Sequence, residues 1–192
     1  MIVKTYEISG PCAFVPSRIA DTRGWFAETF RHDLFARHCG DAAFVQDNES
    51  CSLAVGTVRG LHYQRPPHAQ GKLVRCTAGA IMDVAVDIRA GSPTYGHWIA
   101  ETLTPDNGTQ LWIPPGFAHG FCTLLPDAVV AYKVTDYYCA ECDLGMRWND
   151  PALAIAWPDL ANPASLSPKD RAQPLLCERP AHFFFEELAA CA

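Results

Sequence analysis

Val58-Arg-Gly-Leu-His62-Tyr-Gln-Arg-Pro-Pro-His-Ala-Gln-Gly-Lys72-Leu-Val74 reads as two half-buried strands parted by a Pro-Pro break. It sets arginine, histidine and lysine side chains along stretches that otherwise look like sheet. Charges that point into a sandwich or barrel must be paired or put to use, because an unpaired buried charge is costly to desolvate. A solvated loop with chance polar residues would explain any one of these side chains. It does not explain the set, because later segments supply residues that complete a site around it.

The chain on either side keeps the same character. Phe44-Val-Gln46-Asp47-Asn48 reads as strand, and from there to about Trp148 short apolar runs are broken by Gly, Pro, Asn and Asp. The spacing predicts an all-β fold, an antiparallel sandwich or barrel, rather than βαβ units. Ile2 to Val15 supplies a further strand or two. Asp21-Thr-Arg23-Gly24 suggests a turn, after which Phe26, Glu28 and Phe30 fall on one strand face by the two-residue period. An acid between two aromatics suits a pocket that stacks a flat ring; a core face with one edge carboxylate is the plainer alternative. His32 to His38 is predicted as a short helix with Leu34 and Phe35 on its apolar side. Residues 150–192 are richer in proline and are expected to pack as loops and short helices.

Strand faces can be counted further. If Ala78-Gly79 centre a two-residue hairpin turn, Lys72 faces Ala85, and Asp83 and Asp87 share its sheet face. A lysine and an aspartate on a barrel interior would each keep the other charged. Later, Tyr132, Val134, Asp136 and Tyr138 share a face and Tyr137 takes the other, so two tyrosines can point into one pocket. Tyrosine in a strand is also simply good packing.

Composition bounds the rest. The 192 residues, 49% hydrophobic and 19% charged, suit one globular domain over residues 1–192 and exclude a disordered chain. A net charge of −6 argues against nucleic-acid or anionic-membrane partners. The nine cysteines are odd in number, with Cys139-Ala-Glu-Cys142 the only close pair. With no secretory signal and no membrane-length apolar run legible, a reducing cytoplasm is the expected location.

Two segments carry a more specific pattern. Gly56-x5-His62 and Gly108-x5-Pro114-x-Gly116-x2-His119 resemble the signature segments of cupins, small antiparallel jelly rolls. Metal-binding cupins carry His-x-His and a glutamate in the first segment. Here it reads His62-Tyr-Gln64, and two histidines alone would hold a transition metal poorly. A metal-dependent cupin isomerase or oxygenase, and a non-catalytic sugar-binding cupin, are the rival readings.

Six motifs occur in order: Arg59-Gly-Leu-His62-Tyr-Gln, Ala69-Gln-Gly-Lys72-Leu-Val, Phe117-Ala-His119-Gly-Phe, Tyr132-Lys-Val-Thr-Asp-Tyr-Tyr138, Arg147-Trp148-Asn-Asp-Pro151 and Leu166-Ser-Pro-Lys169-Asp170. Together, from about Asp21 to Leu176, they resemble the dTDP-4-dehydrorhamnose 3,5-epimerase family. The resemblance implies a cupin jelly-roll barrel with short flanking helices. It also implies a homodimer that acts on a nucleotide-linked 4-keto-6-deoxy sugar without metal or organic cofactor.

Carbons 3 and 5 of such a sugar flank a ketone, so their protons can be removed if the enolate is stabilised. That needs a base, a cation beside the ketone oxygen and an acid on the opposite ring face. His62 suits the base, since an imidazole with an unperturbed pKa near ~6.5 works at neutral pH. By resemblance, Asp170 fixes its tautomer and raises its basicity, Lys72 stabilises the oxyanion, and Tyr132 returns a proton from the other side. Arg23, Phe26 and Glu28, with Gln46 and Asn48, resemble the base-recognition set. Arg59 is placed for a phosphate, and His119, Tyr138 and Lys169 resemble further substrate contacts. His119 could equally be a buried, satisfied histidine. Asp143 stands where the family more often has glutamate, which would shorten any substrate contact there. Asn48-Glu-Ser-Cys51-Ser-Leu-Ala-Val-Gly56 departs from a usually more basic, serine-rich stretch. Whether C3, C5 or both are inverted, and on which nucleotide, is left open.

Overall fold

The computed structural model describes residues 1–185; residues 186–192, Cys191 among them, lie outside that description. The chain opens with β1 (Ile2–Thr5), β2 (Cys12–Val15), β3 (Arg18–Asp21) and β4 (Gly24–Ala27), then helix α1 (His32–Cys39). There follow β5 (Gln46–Ser52), β6 (Val58–Gln64), β7 (Lys72–Ala78), β8 (Ile81–Asp87) and β9 (Arg89–Ala90). After these come β10 (Trp98–Leu103), β11 (Gln110–Ile113), β12 (Phe117–Thr123), β13 (Ala128–Val134) and β14 (Asp143–Gly145). The C-terminal part adds the single-turn helix α2 (Pro168–Arg171) and β15 (Phe183–Phe184).

Eleven of the strands form two antiparallel sheets, ordered β1-β2-β11-β7-β13-β5 and β10-β8-β12-β6-β14. Alternation sends Val74, Cys76, Leu111 and Val130 of the first sheet and Ile81, Ala85, Phe117 and Phe121 of the second into one shared core. The central strand β12 is buried at every position, which is why its sequence reads as continuous apolar chain rather than alternation. Edge strand β5 shows the opposite pattern, alternating between half-buried and exposed from Gln46 to Cys51 before the buried Ser52.

Both outer faces are covered in part. Helix α1 lays Phe35 onto Trp112, Phe14 and Leu73 of the first sheet, ring centroids of Phe35 and Trp112 being 4.9 Å apart and edge-on. Asp33 in its first turn and Arg37 and His38 in its last complement the helix dipole. The second sheet is covered by Met146, Leu153 and Leu176 from the C-terminal loops, which pack on Leu61, Val84, Val86 and Ala118.

Three sequence expectations need correction. Strands β7 and β8 do not form a hairpin: they lie in different sheets, and Ala78-Gly79-Ala80 is a corner between them. Gly79 has φ 71°, and a Cβ there would stand 2.9 Å from the Ala128 Cα. Lys72 therefore pairs in register with Ile113 and Val134, not Ala85. Secondly, β4 ends at Ala27, so Phe26, Glu28 and Phe30 do not share one face. Phe30 turns inward onto Phe35 and Phe44, whereas Phe26 is 68% exposed on the β3–β4 hairpin. Thirdly, β13 ends at Val134 and the chain bends at Thr135-Asp136, so Tyr138 does not continue the face of Tyr132.

Candidate active site

At the centre of the second sheet His62 of β6 sits directly opposite His119 of β12. The two strands approach so closely that a Cβ on Gly60 would lie 2.6 Å from the Gly120 Cα. Pairing slips by one residue between His119 and Phe121, a bulge that re-aims side chains locally. Each histidine then meets its own carboxylate. His62 Nε2 lies 2.5 Å from Asp170 Oδ1, and His119 Nε2 lies 2.6 Å from Asp83 Oδ1.

Asp170 is delivered by α2, whose N-cap Ser167 accepts the Asp170 backbone N–H at 3.0 Å. Burial pushes the Asp170 carboxyl up in pKa, but hydrogen bonding to His62 and Ser167 outweighs it and keeps the group below the ordinary carboxylate range. Asp83 is wholly buried, and its Oδ2 has no hydrogen-bond partner among the described residues. Burial lowers the His119 pKa, with Asp83 pulling the other way. His119 is thus buried, paired with Asp83, and on the same sheet face as His62. Its link to Asp83 was not legible locally, because it requires knowing that β8 lies beside β12.

The first sheet contributes Lys72 and Tyr132. Both share the inward face of their strands with Val74 and Val130, which lie in the inter-sheet core. Burial takes the Lys72 ammonium from 10.5 down to about 8, partly offset by Asp143 and Asp83. The expectation that lysine and aspartate keep each other charged is not met for Lys72, because desolvation outweighs the pull of Asp143 and Asp83. Burial raises the Tyr132 hydroxyl, and Arg59 opposes it. Beside Tyr132, Asn48 is its register partner, and Gln46 Nε2 donates to Asn48 Oδ1 at 2.7 Å. Arg59 donates to Ser52 Oγ and to the Cys51 carbonyl, each at 3.0 Å.

A third group forms the rim. Asp143 of β14 pairs with Lys169, and Tyr138 Oη donates to Asp143 Oδ2 at 3.2 Å. The buried Gln64, two residues beyond His62, anchors the Tyr138 loop. Its amide donates to the Tyr137 and His68 carbonyls and accepts the Cys139 N–H at 2.8 Å. Gln64 is thus a loop anchor, a role that nothing in its local sequence signals. With both His Nε2 atoms on carboxylates, no three His, Cys, Asp or Glu side chains converge as a metal set among the described residues.

Arg23, Phe26 and Glu28 are not part of this cluster. Arg23 pairs with Asp21 at 2.5 Å, Glu28 lies 3.8 Å from Arg31, and Phe26 projects from the hairpin. A depression of about 420 Å³ lies beside Phe30 on the outer face of the first sheet, lined by Asp47, Glu49, Arg75 and Lys133.

The stretch that matches known proteins contains these residues. The family model for dTDP-4-dehydrorhamnose 3,5-epimerase matches residues 5–178. A dTDP-4-dehydrorhamnose 3,5-epimerase of Sinorhizobium fredii is 56% identical over 168 residues, 88% of this chain and 86% of the relative. The crystal structure of dTDP-6-deoxy-D-glucose-3,5-epimerase from Legionella pneumophila, in complex with dTDP-4-keto-L-rhamnose, superposes with a TM-score of 0.90. It is 42% identical, and the match covers 97% of this chain and 99% of that one. A dTDP-4-dehydrorhamnose 3-epimerase of Streptomyces niveus is 36% identical, covering 93% of this chain and 85% of the relative. With the match spanning both histidine–carboxylate pairs, the inward lysine and the inward tyrosine, the chain belongs to the dTDP-4-dehydrorhamnose 3,5-epimerase family.

Proposed function

We propose that this chain epimerises a dTDP-4-keto-6-deoxyhexose at C3, C5 or both by removing and returning protons beside the ketone. The observation that carries the reading is the division of the inward polar groups between opposed walls. The His62–Asp170 pair hangs from the second sheet, and Tyr132 and Lys72 from the first. A sugar ring held between the walls meets a base on one face and an acid on the other, which inversion requires. His62 takes the proton, and Asp170 holds the imidazole in one tautomer and stabilises its charged form. Lys72 meets the developing oxyanion in a desolvated setting, where a fixed cation is most effective. Tyr132 returns the proton to the far face. Arg59, Gln46, Asn48, His119, Tyr138, Asp143 and Lys169 bind the rest of the substrate. No metal or organic cofactor has a part in these steps.

The two facing sheets and the two signature segments support a cupin jelly roll forming one domain. No described helix is long and apolar enough to cross a membrane, and the enzyme is read as cytoplasmic, without nucleic-acid or membrane partners. It acts as a homodimer. Ile19, Trp25 and Phe26 leave the β3–β4 hairpin between 58% and 68% exposed, and such an apolar patch suits an interface. A hairpin reaching the neighbouring subunit would bring Arg23, Phe26 and Glu28 to the partner's pocket as the base-binding set.

The test is incubation with dTDP-4-keto-6-deoxyglucose in deuterated water, following exchange at C3 and C5 by NMR. Deuterium is expected at both carbons, or at C3 alone if the enzyme works as the Streptomyces niveus relative is named. His62→Asn should lower exchange at both by on the order of 10²–10⁴ while binding persists. Substantial exchange surviving in that variant would place the base elsewhere.

A further inference from the structure

Directly after Tyr138 the chain turns through Cys139-Ala-Glu-Cys142, and the Cys142 N–H donates to the Cys139 carbonyl at 3.0 Å. Such a turn holds its first and fourth Cα atoms within about 7 Å, close to the span that a disulfide bridges. The Cys142 thiol is pushed up in pKa by its contact with Cys139 first and by burial second. Cys139 is half-buried and reachable, whereas Cys142 is buried. The turn is bracketed by the rim of the site: Tyr138 precedes it, Asp143 follows it, and their side chains are hydrogen-bonded at 3.2 Å. Neither thiol has a part in the proton transfers.

We propose that Cys139 and Cys142 form a reversible dithiol–disulfide couple that takes a low-molecular-weight disulfide as oxidant and controls the Tyr138–Asp143 rim. Cys139 releases its proton to solvent and its thiolate attacks one sulfur of the oxidant, whose other half departs with the bonding pair as a thiolate. Cys142, deprotonated in turn, attacks the Cys139 sulfur of the mixed disulfide, expels the second half and closes the ring. The cysteines lose two electrons and two protons, and one disulfide becomes two thiols. Ring closure replaces two separate thiols by one fixed bridge and reorients the residues on either side. The effect on catalysis rests on the epimerase reading above and falls on KM, because Tyr138 and Asp143 bind substrate without moving its protons.

The experiment treats the full chain with oxidised glutathione, blocks remaining thiols and digests with trypsin. Cleavage after Lys133 and Arg147 releases residues 134–147, which contain Cys139 and Cys142 and no other cysteine. That peptide is expected lighter by two hydrogen atoms, reversibly with a dithiol reductant, with KM raised severalfold and kcat little changed. Cys12 and Cys39, whose sulfurs lie 2.8 Å apart between β2 and α1, provide the internal control. Any pairing of these two free thiols appears on other peptides and survives Cys139→Ser, whereas the KM response does not. A peptide that stays reduced, or keeps glutathione on Cys139 without closing the ring, overturns the couple. Ring closure with unchanged KM overturns control of the rim. If the reduced protein catalyses no exchange, the epimerase reading fails instead, and the peptide mass still decides whether the couple exists.

Discussion

Lys72 carries an ammonium group that the interior disfavours, since burial brings its pKa from 10.5 to about 8 against the pull of Asp143 and Asp83. It is charged at pH 7, so kcat/KM should fall on the alkaline side with a midpoint near pH 8 that Lys72→Met abolishes. That substitution should also lower kcat by roughly 10²–10³, the usual loss when one oxyanion partner is removed. The unfolded chain binds more protons than the folded one between about 8 and 10.5, so stability rises with pH across that window. Below it the full burden remains, and Lys72→Met should melt higher than wild type at pH 7 by calorimetry. A lower melting point would mean that the ammonium is stabilised inside the fold. Tyr132→Phe separates acid from base. It should leave deuterium exchange at C3 nearly intact while net formation of the C5-inverted product falls sharply. An unaltered ratio of exchange to inversion in a merely destabilised variant would remove Tyr132 from that role; loss of a buried hydrogen bond alone costs about 0.5–1.5 kcal/mol. His62, Lys72 and Tyr132 were legible in the sequence because each sits inside a dense local motif. The placing of Asp170 against His62 was legible only through the resemblance of the motifs that carry them, since the two lie 108 residues apart. Asp83 as the partner of His119 was not, because that pairing is made by strand order.

Gln64 shows how a strand end can set a loop. Its three hydrogen bonds hold residues 137–139 and His68 against the end of β6. Gln64→Ala removes three part-buried hydrogen bonds, each worth about 0.5–1.5 kcal/mol net. Amide exchange at Tyr138 and Cys139 should accelerate well beyond that of β12, with KM rising more than kcat falls. Equal protection in variant and wild type would show that the loop holds itself. The strand pattern itself was legible, since short apolar runs between breakers correspond to β6, β7, β8, β11, β12 and β13. The Gly79 corner was misread because a glycine at positive φ serves a hairpin and a corner equally well. Only the partners chosen by β7 and β8 distinguish the two. The end of β4 at Ala27 carries no breaker residue, so the supposed common face of Phe26, Glu28 and Phe30 had nothing in the sequence to contradict it.

The homodimer reading has a direct consequence for mixed subunits. His62→Asn subunits and Phe26→Ala/Glu28→Ala subunits are each expected to have little activity alone. Co-refolded in equal amounts, they form hybrids in which one pocket has an intact base and an intact visiting hairpin. Random pairing should restore roughly a quarter of wild-type activity, as two-fold symmetry requires. No recovery, with hybrids verified by mass spectrometry, would mean that the hairpin serves no neighbouring pocket. Within one subunit, His62 and Tyr132, the proposed base and acid, hang from different sheets, so their separation is a dimension of the packing between the sheets rather than of either strand. Ile81 and Val130, buried side chains in the inter-sheet core, therefore act as shims for stereochemistry. Thinning one of them should let the sugar rock between the walls and release more singly inverted product, although no group that handles a proton has changed. In the proposed mechanism the fidelity of inversion becomes a mechanical tolerance, held by hydrocarbon that has no chemistry of its own.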